Sequence, residues 1–179
     1  LDILKQEEVK ATFFVVGSRA KSYAGIVKRA AEEGHQIGNH TYSHKKLTSL
    51  SEEARGRESN LSADIIEQIT GRRPTLMRPP YGAYNKTVSA SAGAAVVLWS
   101  VDPQDWRYRN TATVLRNATR NVKDGDIILL HDIHATTIQA VEPIIAKLKA
   151  EGFTFVTVEE LIAARSQLAY GKVYTACRK

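Results

Sequence analysis

One cysteine, Cys177, in a chain of 179 residues cannot close an internal disulfide, so cross-linking is excluded as a source of stability within it. The fold must rest on a buried apolar core, and this length suits one domain over residues 1–179. Long apolar runs are also missing. No stretch approaches the roughly 18 residues that a membrane-crossing helix needs, and the first residues lack a signal-peptide pattern. Runs of five or more like charges are absent too, although 25 basic residues against 19 acidic ones leave a net charge of +6. Scattered positive charge makes no case for nucleic-acid binding, but it suits an anionic surface such as a bacterial envelope. Repeats, low-complexity tracts and interdomain linkers are likewise not found. What remains is 43% hydrophobic and 25% charged, an ordinary globular balance that excludes disorder as the default.

The chain opens on Leu1–Gln6, which reads as the second half of an amphipathic helix without an N-cap, so residues preceding Leu1 are expected. Residues 11–16 form a β-branched and aromatic run closed by Gly17, the pattern of a buried strand. A helical stripe over 22–33 stops at Gly34, and a brief strand follows at 35–39. Ser51 caps a long helix with early acids, buried through Leu61, Ile65, Ile66 and Ile69 and ended by Gly71. Strands are then expected at 75–77, 94–101, 127–130 and 153–158, and helices at 85–92, 111–122, 137–151 and 159–166. Alternation of apolar strands with helices is the pattern of a parallel sheet covered by helices, either a barrel or an open doubly wound sheet. In both, sites gather at the carboxyl ends of the strands.

Four polar clusters fall at such ends. His40 and His44 lie four apart in Gly38-Asn39-His40-Thr41-Tyr42-Ser43-His44. If the chain turns into a helix at Thr41, their Cβ atoms stand about 5–6 Å apart on one face. Two imidazoles so placed can meet one divalent ion at roughly 2.0–2.1 Å. Arg78 precedes Pro79-Pro80-Tyr81-Gly82; its guanidinium can make a structural ion pair or orient a carboxylate, and Tyr81 can aim a backbone N–H at a developing oxyanion. Asp105-Trp106 offers either a capping acid beside a core aromatic or a carboxylate that fixes the tautomer of His131. His131, ending the run 127–130, is then a candidate general acid. His35 and His134 lie off these ends and are read as structural or exposed, and Asp132 as bonding locally.

His40-Thr41-x-x-His44, Arg78-Pro79-Pro80-Tyr81-Gly82, Asp102-x-x-Asp105-Trp106 and Leu129-Leu130-His131-Asp132 together resemble four of the five motifs of the polysaccharide deacetylases, carbohydrate esterase family four, in order and across essentially the whole chain. The resemblance implies an α/β fold, a distorted (β/α) barrel with mostly parallel strands. It implies removal of acetyl groups from peptidoglycan, chitin-type N-acetylglucosamine or acetylxylan by attack of a metal-bound water. The ion would be zinc, with cobalt an alternative, and the location extracellular or at the cell surface. His40 and His44 would be metal ligands, Arg78 the tether of the catalytic base, and the Tyr81 N–H part of the oxyanion hole. Asp105 would tune His131, the acid, while Trp106 and Leu129 would wall the acetyl pocket.

The family's first motif, a Thr-Phe-Asp-Asp-Gly segment carrying the base and a third metal ligand, has no counterpart in these residues. The barrel is therefore expected to lack its first strand here, and the polypeptide alone to be inactive, with that segment on a separate or cleaved piece or simply outside this chain. Cys177 then has either an upstream disulfide partner or a harmless terminal thiol. Two alternatives stay open: an inactive carbohydrate-binding domain, and a metal hydrolase whose third ligand is Asp102, Asp105 or Asp132.

Overall fold

The computed structural model describes residues 1–178. In chain order its elements are α1 (Asp2–Gln6), β1 (Thr12–Val15), α2 (Gly17–Ser22), α3 (Ala24–Glu32), β2 (Gln36–Asn39), α4 (Glu52–Thr70), β3 (Leu76–Met77), α5 (Lys86–Ala90), β4 (Ala95–Val97), α6 (Asp105–Tyr108), α7 (Thr111–Thr119), α8 (Ala135–Ala150), α9 (Val158–Ala163) and β5 (Val173–Tyr174). Single 3-10 turns cover Leu47–Ser49 and Pro80–Gly82. The residues fall into two compact units.

One unit joins Ala11–Leu98 to Thr157–Tyr174 and holds the whole sheet, in the order β1-β2-β3-β4-β5. Every strand pair in it is parallel, and the sheet is open. Parallel pairing sends every strand's carboxyl end the same way. Asn39 pairs with Met77, so the residues that follow, His40 and Arg78, leave the sheet side by side. Beneath them the ring of Phe14 lies across Gly38; a Cβ on that glycine would stand 2.6 Å from the ring. The core comprises Leu47, Met77, Val88, Ala92, Ala94 and Val96 in one cluster and Ala20, Val27 and Ile65 in another. Thr157 caps α9 in a capping box with Glu160, and Gln36 ties the same helix to β2 through Glu159.

The boundaries of α4 follow the sequence. Ser51 accepts the Ala54 N–H, and Gly71, at φ 74°, provides the left-handed C-cap. Its buried face differs from expectation. Leu61 is 45% exposed, while Glu58, Ser59, Ser62 and Ala63 are buried beside Ile65 and Ile66. Small residues face α2 here because the backbones approach closely: a Cβ on Gly17 would lie 2.9 Å from Ser62 Cα.

The other unit joins Leu1–Lys10, Trp99–Val156 and the chain from Thr175 onward. Its core is Val114, Ala118, Ala140, Ile144 and Leu148, with Phe153 and Phe155 packed against it. Three expected strands are altered. The run 94–101 narrows to Ala95–Val97, and 127–130 survives as a single parallel bridge between Val101 and Ile128. Residues 153–157 form no strand, because their phenylalanines are used as packing groups and Thr157 already caps α9. Strand β5 was not expected; at two residues it carries too little pattern to be read.

Candidate active site

The loop after β2 is not helical. Asn39 Oδ1 captures the Thr41 N–H at 2.8 Å, an Asx turn that diverts the chain before a helix can start. Thr41 and His44 take left-handed φ values of 65° and 59°, and the Thr41 hydroxyl accepts the His44 N–H at 3.1 Å. The turn still brings the histidines together: their ring centroids are 4.8 Å apart, edge to face. His40 Nδ1 lies 2.6 Å from the Arg78 carbonyl oxygen. A carbonyl only accepts, so Nδ1 carries the proton and Nε2 carries the lone pair, the tautomer that a metal-ligating imidazole needs.

Arg78 is 9% exposed, its guanidinium 4.3 Å above the Phe14 ring. Nε donates to the Val97 carbonyl at 3.3 Å and Nη2 to the Leu98 carbonyl at 2.9 Å, both at the end of β4. Burial lowers its pKa to about 10, which leaves it protonated at neutral pH. Tyr81 sits at φ 62°, a strained conformation for a tyrosine, with its ring 5.0 Å from that of His44 and 70% of the residue exposed.

In the other unit, Asp105 is fully buried at the start of α6. Its Oδ1 lies 2.8 Å from His131 Nδ1 and accepts the Trp106 N–H at 3.0 Å. Oδ2 accepts the His131 backbone N–H at 2.6 Å and the Thr137 hydroxyl at 2.9 Å. Burial alone would raise the Asp105 pKa, but hydrogen bonds from the His131 ring and backbone and from Thr137 outweigh it and hold the carboxyl below its ordinary value. His131 is thereby fixed with Nδ1 toward the carboxylate. Trp106 is 52% exposed, and Leu129 is buried, its N–H donating to Val101 at 3.0 Å.

A carboxyl whose pKa is depressed by folding stabilises the fold above its unfolded pKa and loses that contribution as pH falls through the folded value. Urea unfolding is accordingly expected to show Asp105→Ala less stable than the parent by about 1–3 kcal/mol at pH 7, the cost of leaving its buried hydrogen-bond donors without an acceptor. The gap should narrow below about pH 4, where carboxylates protonate. A gap independent of pH would show that the carboxylate charge is not what matters.

Of the residues singled out in the sequence, His40, His44, Arg78 and Tyr81 form one cluster in the sheet-bearing unit, and Asp105, Trp106, Leu129 and His131 surround α6 in the other. His35 is structural: it is buried, with Nδ1 accepting the Ala11 N–H and its ring edge on Phe13. Asp132 is exposed, and His134 stands at the N-cap of α8. Among the described residues no group of three or more His, Cys, Asp or Glu side chains is placed to hold a metal ion. The imidazole pair fits a divalent ion in donor chemistry, and the tautomer of His40 suits it. Sequence reasoning missed Thr137, Asn39 and Glu58. Only Glu58 left a signal, as a charged residue on the inward stripe that continues to Ser62 and Ile66.

The polysaccharide deacetylase family pattern matches residues 1–97. The chain is 44% identical over 174 residues to the peptidoglycan-N-acetylglucosamine deacetylase PgdA of Listeria monocytogenes, an alignment covering 97% of this chain and 37% of that protein. The solved structure of T48 deacetylase with substrate matches at a TM-score of 0.94 with 39% identity, covering 97% of this chain and 86% of that one. A family 4 acetyl xylan esterase from Clostridium thermocellum, in complex with a cobalt ion, matches at 0.93 with 30% identity, over 98% and 89%. No helix among the described residues is long and apolar enough to cross a membrane. With two histidines at one sheet end, an aspartate-held histidine after α6, and relatives alike in both sequence and backbone, the chain belongs to the polysaccharide deacetylases, carbohydrate esterase family four, a metal-dependent family with a distorted barrel fold.

Proposed function

We propose that these residues form part of a deacetylase that hydrolyses the N-acetyl group of peptidoglycan N-acetylglucosamine at or outside the cell surface. The observation that carries the reading is the paired orientation of His40 and His44, with Nδ1 of His40 committed to the Arg78 carbonyl. Zinc is the ion that two imidazoles and a carboxylate suit best, with cobalt a working substitute. When bound, such an ion polarises the acetyl carbonyl and acidifies water.

The chain's own residues do the rest. His40 and His44 hold two coordination positions through their ε nitrogens. Tyr81, held at positive φ, presents its backbone N–H as an oxyanion donor. Arg78, buried and cationic, fixes the catalytic carboxylate in its ionised form, because an adjacent positive charge favours that form. His131 gives the proton at Nε2 to the departing sugar amine, and Asp105 stabilises the imidazolium that exists before that transfer. Trp106 and Leu129 wall the acetyl methyl. In the family, the third ligand and the base come from a Thr-Phe-Asp-Asp-Gly segment, which these 179 residues do not contain. The inactive carbohydrate-binding reading is less consistent with a buried aspartate whose hydrogen bonds go to His131, Trp106 and Thr137.

With that segment present, chelator-treated protein should release no acetate from N-acetylated peptidoglycan fragments, and added zinc or cobalt should restore release. Release that survives chelation contradicts the reading.

A further inference from the structure

A glutamate in the middle of a helix and 8% exposed is costly unless its oxygens are satisfied, and both oxygens of Glu58 are spent on the loop between the two histidines. Oε2 accepts the Ser43 N–H at 2.8 Å, and Oε1 accepts the Ser43 hydroxyl at 2.6 Å. The backbone carbonyl of the same residue accepts the Tyr42 N–H at 2.9 Å. One position on, the Ser59 carbonyl accepts the Asn39 side-chain amide at 2.8 Å. Helix α4 thus grips residues 39–43 at four points. Lys45 comes only within 4.0 Å of Glu58 and is 64% exposed, so it adds little.

The loop needs holding. Thr41, β-branched, and His44 both occupy the left-handed region, a strained backbone that persists only where the surroundings over-determine it. Released from α4, the segment would relax toward extended or right-handed backbone, and the 4.8 Å approach of the two rings would be lost.

We infer that Glu58 is a positioning residue for the metal-holding imidazoles: its carboxylate clamps Ser43 and so keeps His40 and His44 turned toward one ion. The inference rests on the reading of those histidines as ligands. It also accounts for Glu58 occupying a buried position where an apolar residue would pack at lower cost. What the clamp requires is two hydrogen-bonding atoms in one plane rather than a charge. A glutamine can meet it, its oxygen accepting the Ser43 N–H and its amide donating to the hydroxyl oxygen.

The test is a zinc titration of the 179-residue chain followed through the imidazole nitrogen resonances. Glu58→Ala should weaken zinc binding about 10–100-fold, the usual cost of losing an outer-shell support. Glu58→Gln should bind close to the parent. Ser43→Ala, which leaves α4 untouched and guards against a misfolded Glu58→Ala, should weaken binding about three- to tenfold, the worth of one hydrogen bond. His44→Ala runs in parallel. If His44→Ala weakens binding while Glu58→Ala and Ser43→Ala bind as the parent does, the positioning role is overturned and the ligand assignment stands. If His44→Ala itself binds as the parent does, the ligand assignment falls first.

Discussion

The 179 residues alone are expected to release no measurable acetate from N-acetylated chitooligosaccharides or peptidoglycan fragments at any zinc concentration, whereas the same residues preceded by a strand bearing Thr-Phe-Asp-Asp-Gly are expected to release it. The argument is one of inventory. A catalytic zinc ordinarily has three protein ligands, and His40 and His44 are two. Among the described residues no third His, Cys, Asp or Glu completes a cluster, and nowhere in the sequence do two aspartates stand together. The base is missing for the same reason. Arg78 is buried, cationic and braced on the carbonyls of Val97 and Leu98, a geometry consistent with the proposed tether of that carboxylate. The effect should be close to all-or-none, since a carboxylate ligand and a general base are supplied together. Acetate release by the 179 residues alone at a rate comparable to the extended protein would mean that ligand and base lie within them.

In the active, acid-bearing form, His131→Ala should lower kcat for acetate release by about 10²–10⁴-fold, the range over which a positioned general acid acts. The loss should fall on kcat with little change in KM, because a proton donor contributes in the transition state rather than in substrate binding. Amide hydrolysis makes the effect large, since an amine must be protonated before it departs. Asp105→Asn should give a smaller loss and move the alkaline limb of the kcat profile to lower pH. Removing the carboxylate charge destabilises the imidazolium, so the proton is lost at lower pH. The buried bond from Thr137 to Asp105 predicts the same direction for Thr137→Val, with a smaller shift. An unchanged pH profile in Asp105→Asn would mean that the aspartate organises the loop without tuning the imidazole.

How much of this could be read from the sequence depended on how local each signal was. Helix α4 was legible at both ends because Ser51 and Gly71 act within one turn of themselves. Its buried face was not, because the glycine that draws small residues inward, Gly17, lies more than 40 positions away in the chain. The strand at 153–158 looked right by composition and failed because Phe153 and Phe155 are claimed by the α7–α8 core. At the site, the residues at strand ends were singled out by type and spacing, and the helical turn that would have put His40 and His44 on one face does not form. Asn39 writes an Asx turn there, and the rings meet by a left-handed kink instead of a helical repeat. The Asp105–His131 pair was anticipated as chemistry, whereas the part played by Thr137, 32 residues from Asp105, had no mark in the sequence.

The account stands on His40 and His44 sharing one ion, and an anomalous-scattering map from zinc-soaked crystals tests that most directly. It should show one strong peak at roughly 2.0–2.1 Å from an ε nitrogen of each imidazole. A peak at the carboxylates of Asp102 or Asp132, or none near either histidine at saturating zinc, would contradict it.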